Sequence, residues 1–211
     1  MDLSNSISQW LLSRLELMPA QMLQQMTGAR ASGRLLDIIL GEREAVKVRA
    51  LLDRESCRQS HISTVLLPGV MGSLLTSVRG ISALVWPNAT ILVDGQINLL
   101  DLDHSGTRDR SPDVEIVPIG IETISYLRLI LTLARDTRFY EFPYDWRRPL
   151  EWNADILHTA LQRWSSTDPS RRYTLVGHSM GGMLARTYLA RYPAEAEKCV
   201  ERLIMLGTPL S

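Results

Sequence analysis

The stretch that decides the fold runs from Thr174 to Pro193 and reads TLVGHSMGGMLARTYLARYP. Its first residues are β-branched and apolar, which favours a strand, and its second half places apolar residues at helical spacing. Between the two halves Gly177, Ser179 and Gly181 occupy alternate positions. Glycines at a sharp turn from strand to helix remove side chains that would otherwise collide across it. We therefore expect Ser179 to have a strained backbone conformation at the edge of a sheet.

This arrangement predicts nucleophilic chemistry at Ser179, although a glycine-rich turn without chemistry is the alternative. An elbow of this kind projects the serine hydroxyl above the sheet. The amide of the next residue, Met180, can then bind an oxyanion, helped by the positive end of the following helix. A second element is LLPGVMGSLL, residues 66–75, where a strand breaks at a Pro-Gly pair. Its loop can present the amide of Val70 as the other oxyanion donor, or it can be an ordinary turn or an anion-binding glycine loop.

The composition of the chain narrows the function classes. Of its 211 residues 45% are hydrophobic, which is typical of a globular protein, and 23 basic residues balance 23 acidic ones. A neutral chain gives no electrostatic reason to expect nucleic acid or an anionic membrane as a partner. The sequence has no G-K-[ST] and no G-x-G-x-x-G pattern, so a nucleotide site is not predicted. We therefore expect no cofactor.

The cysteines and the N-terminal residues suggest a cytoplasmic location. Cys57 and Cys199 are far apart and have no metal-ligand spacing, so reduced thiols are expected. The first residues lack a basic segment, and Arg14 and Glu16 interrupt their apolar run, so a signal peptide is not predicted. No stretch is long and apolar enough to predict a membrane-spanning helix.

Two regions differ in their patterning. Residues 1–57 place apolar side chains at steps of three and four, which predicts a helical N-terminal extension, with residues 44–56 ambiguous between helix and strand. Residues 58–211 alternate strand and helix patterns, which predicts an α/β fold with at least four parallel strands and helices on both faces. Residues 76–118 contain many turn signals and are interpreted as an insertion with short strands and a candidate lid. A helix over residues 153–167 is expected to be capped by Asn153.

Three motifs stand in a fixed order along the second region: LLPGVMGS, PYDWR at residues 143–147 and LVGHSMGG, followed by LIMLGTP at residues 203–209. Together they resemble the lecithin–cholesterol acyltransferase family of α/β-hydrolases, which also contains phospholipid:diacylglycerol acyltransferases and many bacterial hydrolases. The resemblance covers about residues 62–211 and is to the N-terminal part of a bacterial-type member. PYDWR is the most specific motif, because no strand or turn rule demands its tryptophan and arginine.

The resemblance implies roles for individual residues. Ser179 matches the nucleophile, and Val70 and Met180 match the oxyanion donors, while Gly177 and Gly181 are the elbow glycines that the turn itself requires. The implied fold is an α/β-hydrolase-like sheet that is incomplete at its C-terminal edge.

Other matched positions are architectural. Asp145, Trp146 and Arg147 match the PYDWR motif, and the resemblance implies that the carboxylate and the guanidinium tie loops together near the site. Trp86 corresponds loosely to a tryptophan that the family associates with its lid.

A serine nucleophile needs a histidine base and an acidic residue that holds it, and in this fold both follow the serine in the chain. The residues after Ser179 include Glu195, Glu197 and Glu201 but no histidine. We therefore expect the acidic residue and the histidine to come from a C-terminal complement.

The four histidines at or before the elbow are weak substitutes. His178 is expected to point away from Ser179, His61 to lie at the other end of the sheet and His158 to lie on a helix surface. His104, in the insertion, is the remaining candidate.

The resemblance implies O-acyl transfer on a lipid ester through an acyl-enzyme on Ser179, with a lipid or another hydrophobic ester as the substrate. One alternative is a lipase or esterase that passes the acyl group to water. The other is a truncated or inactive hydrolase that serves as a binding module.

Overall fold

The structure, a computed structural model, describes residues 37, 41–52, 62–80, 84–88, 91, 96–136 and 138–210. They divide into two units, one within Met1–Ser60 and Glu122–Thr137 and the other within His61–Ile121 and Arg138–Ser211. Most of the predicted N-terminal extension lies outside the described residues, as do Cys57 and His61. None of the helices that are described is long and apolar enough to cross a membrane.

The first unit contains helix α1 (Glu42–Leu52) and helix α2 (Thr123–Asp136), which contact each other. Of the segment that the sequence left ambiguous between helix and strand, residues 44–52 are therefore helical, and residues 53–56 lie outside the described residues. Gly41 precedes α1 with a φ of +74°, a backbone conformation that glycine adopts without steric cost.

The second unit contains strands and helices, which alternate only in its second half. Its elements are β1 (Ile62–Leu67), β2 (Ser73–Arg79), β3 (Leu84–Trp86), a short 3-10 helix (Gln96–Leu100), β4 (Glu115–Ile121), β5 (Arg138–Glu141), α3 (Leu150–Ser165), β6 (Arg172–His178), α4 (Met180–Arg191), α5 (Pro193–Cys199) and β7 (Val200–Leu206).

The main sheet contains four parallel strands in the order β5-β1-β6-β7. This confirms the predicted α/β class and its parallel strands. Alternate residues of a strand share one face, and on one face of this sheet the buried side chains of β1 and β6 pack against α3 and α4. The residues of this core include Val65, Leu67, Tyr173, Leu175, Leu157, Leu161, Leu184 and Tyr188.

A second sheet lies within residues 73–121 and overlaps the predicted insertion. Its strands are antiparallel in the order β3-β2-β4, and its buried core includes Leu75, Val85 and Ile116. The register of β2 and β4 shifts twice, which leaves Val78 and Ile119 as exposed bulged residues. The insertion is thus a small sheet with its own core, and its role as a lid stays a prediction.

The start of α3 differs from the expectation. The helix begins at Leu150 after Pro149, so the prediction that Asn153 caps it is wrong. Proline at this position already has a φ of −52°, close to the helical value, and it starts the helix three residues earlier. The side chain of Asn153 is fully buried and donates from Nδ2 to the carbonyl oxygen of Asp145 at 2.9 Å.

The parallel strands bring the three motifs to one edge of the sheet. Leu67 lies opposite Gly177 in the register, and His178 lies opposite Leu206, so β1, β6 and β7 end side by side. The segments that follow these strands, and PYDWR after β5, therefore begin at the carboxyl edge. This is the edge at which open α/β sheets bind ligands.

Candidate active site

Ser179 has the strained backbone that the glycine spacing predicts. It joins β6 to α4 with φ +49° and ψ −118°, outside the conformations that a non-glycine residue ordinarily adopts. Such a conformation costs about 1–3 kcal/mol and persists only where the surrounding structure enforces it. The residue is half-buried at the carboxyl edge of the sheet.

The glycines around Ser179 permit a close approach of β6, α4 and β1. A Cβ on Gly177 would lie 2.5 Å from the backbone nitrogen of Gly182. A Cβ on Gly181 would collide with the carbonyl oxygen of Leu67 and would lie 2.5 Å from that of Pro68. Backbone atoms cannot move aside as a flexible side chain can, so any larger residue would force the elbow away from β1.

Two further hydrogen bonds fix the elbow, one to the end of β7 and one within the turn into α4. The amide of Ser179 donates to the carbonyl oxygen of Leu206 at 2.8 Å, and the amide of Gly182 donates to the carbonyl oxygen of Ser179 at 3.0 Å. The strained serine is therefore fixed on both sides, by β1 and by the end of β7.

The loop after β1 forms a tight turn over Gly69–Gly72, which we call the oxyanion turn. The amide of Gly72 donates to the carbonyl oxygen of Gly69 at 3.0 Å, and Met71 has a φ of +63°. Positive φ at the third position is the geometry of a type II turn, where glycine or asparagine is usual. Val70 and Met71 expose about half of their surface, at 51% and 50%.

The oxyanion turn lies against Ser179. A Cβ on Gly69 would be 3.2 Å from Cβ of Ser179 and 3.0 Å from Nδ1 of His178. Val70, the expected donor, is the next residue in this turn. Met180, the other expected donor, is the first residue of α4, where amides have no acceptor within the helix. Both predicted donors thus belong to segments that border Ser179, and their joint action on an oxyanion stays a prediction.

The PYDWR motif forms a buried network of charges. Arg147 donates to both carboxylate oxygens of Asp145, at 2.8 and 2.7 Å, and Arg148 donates to the same carboxylate at 2.9 Å. Nη1 of Arg147 also lies 2.8 Å from Oδ1 of Asp109, in ion-pair contact but without hydrogen-bond alignment. The side chains of Arg147, Asp145 and Asp109 are 3%, 1% and 7% exposed. Two arginines and two aspartates therefore balance their charges in the interior.

This network holds the insertion to the motif. Asp109 belongs to the segment before β4 and accepts the amide of Ile116 at 2.9 Å, while Arg147 also donates to the carbonyl oxygen of Leu100 at 3.3 Å. Burial alone would lower the pKa of Arg147, but its hydrogen bonds with Asp145 and its ion pairs with Asp145 and Asp109 outweigh that effect and raise the pKa. Sequence reasoning missed Asp109, because no local pattern distinguishes it from the other charges of its loop.

Trp146 joins the two hydrophobic cores of the unit. Its ring packs against the core of the main sheet and against that of the second sheet, and it meets Trp86 edge to face at 5.9 Å between centroids. Trp86, which the resemblance associated with a lid, donates from Nε1 to the carbonyl oxygen of Met71 at 2.9 Å. It therefore contacts the oxyanion turn directly.

The described histidines lie in three different places. His178 is exposed beside the oxyanion turn, and His104 is exposed in a loop of the insertion, between the 3-10 helix and β4. His158 stacks on Tyr192 with centroids 4.0 Å apart. Tyr192 follows α4, whose 12 residues span about 18 Å, so His158 lies at the end of that helix remote from Ser179.

Within the described ranges, no group of three His, Cys, Asp or Glu residues is arranged to hold a metal ion.

Part of the chain matches a known protein family. Residues 131–211 match the family model described as lecithin:cholesterol acyltransferase, which confirms the resemblance over PYDWR, the elbow and β7. No curated protein matches the chain. Among solved structures, the chain is similar to the "putative cell surface hydrolase from Lactobacillus plantarum WCFS1", with 17% identity and a TM-score of 0.36. The match covers 70% of this chain and 53% of that one, so the chain spans about half the length of that structure.

Proposed function

We propose that this chain carries the nucleophile and the oxyanion site of a serine-dependent acyl transfer on a lipid ester. The observation that carries the proposal is the backbone of Ser179, which stands at φ +49° beside the oxyanion turn at the carboxyl edge of the sheet. The match of residues 131–211 to an acyltransferase family supports a lipid ester as the substrate class.

The chemistry follows from this placement. Oγ of Ser179 attacks the ester carbonyl carbon, and the new C–O bond converts the carbonyl oxygen into an oxyanion bound by the amides of Val70 and Met180. When the intermediate collapses, the bond to the leaving alcohol breaks and the acyl group stays on Ser179. The proton from Oγ passes through a base to the leaving oxygen. An acceptor alcohol then attacks the acyl carbon, its proton passes to the base, and the bond to Oγ of Ser179 breaks as the base returns that proton to Oγ.

The base in this proposal comes from a segment that pairs with the free edge of β7. In the described part of the chain β7 is the last strand of the sheet, and Ile204, Met205 and Leu206 are 37%, 38% and 37% exposed. A continuous apolar run is typical of an interior strand of a parallel sheet, whereas edge strands usually carry charges. A further strand along β7 would cover this run and would end at the same edge as Ser179.

Hydrolysis is the second candidate, because water can replace the alcohol at the same acyl-enzyme. The oxyanion turn exposes Val70 and Met71, which gives a hydrophobic acceptor or donor an apolar surface beside Ser179. Because this apolar surface can bind a hydrophobic acceptor alcohol, we propose acyl transfer ahead of hydrolysis. Product analysis with a lipid ester, in the presence and absence of an added long-chain alcohol, separates an ester product from a free acid.

The test of the nucleophile is covalent labelling. The chain is incubated with a fluorophosphonate probe, and the adduct is located by mass spectrometry, with Ser179→Ala and the exposed-serine variant Ser166→Ala as a matched pair. We expect the adduct on Ser179, its loss in Ser179→Ala and its retention in Ser166→Ala. An adduct spread over other hydroxyls and unchanged in Ser179→Ala would overturn the proposal, and so would no adduct at all. The latter result would favour a binding module.

A further inference from the structure

Two aromatic side chains donate hydrogen bonds to the oxyanion turn from its two ends. The hydroxyl of Tyr144 donates to the carbonyl oxygen of Pro68 at 2.9 Å, immediately before the turn. Nε1 of Trp86 donates to the carbonyl oxygen of Met71 at 2.9 Å, within the turn. The peptide between Gly69 and Val70 lies between these two fixed carbonyls.

Tyr144 is a rigid donor. Its side chain is 1% exposed and stacks on Phe142, with 6.5 Å between ring centroids. Its own amide donates to Oγ of Ser73 at 3.0 Å, and Ser73 is the first residue after the oxyanion turn. A single residue of the PYDWR motif is thus bonded to the chain just before the turn and just after it.

Trp86 acts where the turn is strained. Met71 is exposed and has a φ of +63°, so its own side chain does not supply burial energy to hold this conformation. A strained residue of this kind requires support from its surroundings. The hydrogen bond from Trp86 fixes the carbonyl of Met71, and the ring of Trp86 is in turn held against Trp146.

These bonds fix the direction of the Val70 amide. The carbonyl of Gly69 accepts the bond that closes the turn, and in a trans peptide the N–H of the next residue points the opposite way. The N–H of Val70 therefore points out of the turn as long as the turn keeps its shape. We infer that Tyr144 and Trp86 are positioning residues, which hold the Val70 amide in place for the oxyanion formed at Ser179. The inference rests on the proposed function of Ser179.

The first test replaces Tyr144 by phenylalanine, which removes only the donor oxygen. The matched control is Tyr173→Phe, because Tyr173 is also fully buried and loses a hydrogen bond to Ser165, at 3.0 Å, in the core. We expect Tyr144→Phe to lower the maximal rate of fluorophosphonate labelling about tenfold with the probe's inhibition constant unchanged, since the loss is confined to the reacting geometry. Tyr173→Phe should leave both constants within about twofold.

The second test uses amide exchange, which does not depend on catalysis. We expect the Gly72 amide, which closes the oxyanion turn, to exchange about tenfold faster in Tyr144→Phe and in Trp86→Phe than in the wild type. Trp164→Phe, which alters a tryptophan stacked on Tyr140 in another part of the core, should not change this rate.

The two readouts separate the inference from the function on which it rests. If wild-type Ser179 gives no adduct but the Gly72 amide still responds to both substitutions, the proposed function fails and the tethering of the turn stands. If labelling proceeds on Ser179 and Tyr144→Phe changes neither its rate nor the exchange of Gly72, the inference is overturned. Equal effects of Tyr144→Phe and Tyr173→Phe on labelling would also overturn it, because they would indicate a general loss of stability.

Discussion

The side chain of Thr208 occupies the space that Gly182 leaves open by lacking a Cβ in the first turn of α4. Thr208 follows β7, so the segment after that strand packs directly on the helix that begins at the serine elbow. On the opposite side Gly181 packs on the carbonyl oxygens that end β1. The elbow is thus held between β1 and β7, the strands on either side of β6, and these contacts require Gly181 and Gly182.

Replacement of Gly181 by alanine should therefore be severely destabilising. The added methyl group would meet the backbone oxygens of Leu67 and Pro68, and relief would require β1 and α4 to separate. We expect the free energy of unfolding to fall by about 3 kcal/mol or more, measured by urea denaturation followed by circular dichroism.

Gly120→Ala is the matched control for this substitution. A Cβ at Gly120 would meet only Cδ1 of Leu74, at 3.7 Å, which is an ordinary contact. We expect the free energy of unfolding to change by less than about 1 kcal/mol. Similar losses for the two variants would show that the close approach at the elbow is not what makes Gly181 necessary.

Arg147→Ala should also destabilise the fold, through buried charge. The substitution leaves Asp145 and Asp109 in the interior with only Arg148 to balance them, and Arg148 is 3.8 Å from Asp109. Removal of one partner from a buried ionic network costs about 3–5 kcal/mol, because the remaining charge stays desolvated. Chemical denaturation of the purified variant measures this loss.

The control for Arg147→Ala is Arg110→Ala in the same insertion. Arg110 pairs with Asp101 at 2.8 Å, but both side chains are largely exposed, at 64% and 44%. An exposed pair contributes less than about 1 kcal/mol, so this variant should be nearly neutral. If the two arginine variants lost equal stability, burial of the charge network would not explain the result.

The elbow could be predicted from the sequence because its cause is local. Gly177 and Gly181 mark the two positions where a side chain must be absent around Ser179. The strand before them and the helix after them are predicted by the spacing of their apolar residues. The same holds for the last strands of the parallel sheet, since strands and helices alternate from β5 to β7. Helix α3 shows the limit of such rules. The helix begins after Pro149, and Asn153 is a buried residue within it and does not cap it.

The contacts that fix the site could not be predicted, because they join residues far apart in the chain. Asp109 pairs with Arg147, Tyr144 donates to Pro68, and Trp86 donates to Met71. In each case one partner looks like an ordinary loop or strand residue, and only the folded sheet brings it beside the other. The PYDWR motif was recognised by resemblance, and the structure supplies its physical reason.

The edge strand β7 leads to a prediction about association. Its exposed apolar run should make the chain self-associate, since an uncovered edge strand can pair with other chains. Met205→Lys places a charge in this run and should raise the concentration at which aggregates appear in light scattering. Ile97→Lys, which charges a more exposed apolar residue in the 3-10 helix, should have a much smaller effect. Equal improvement by both lysines would indicate general charge rather than the strand edge.

The last prediction concerns the activity of residues 1–211 alone. They supply an elbow and two expected oxyanion donors, but no histidine follows Ser179 and His158 lies at the remote end of α4. An oxyanion site without its triad partners still gives a rate of roughly 10³–10⁴ over water, several orders of magnitude below a complete triad. We therefore expect slow labelling of Ser179 by a fluorophosphonate and no robust ester turnover. A chain extended by a segment that pairs with β7 and carries an acidic residue and a histidine should label strongly.

Rapid ester turnover by residues 1–211, lost in Ser179→Ala, would contradict this expectation and would assign the base to a histidine of this chain. His104→Ala and His178→Ala, the latter beside Ser179 in the chain, would then identify that histidine by the loss of ester turnover.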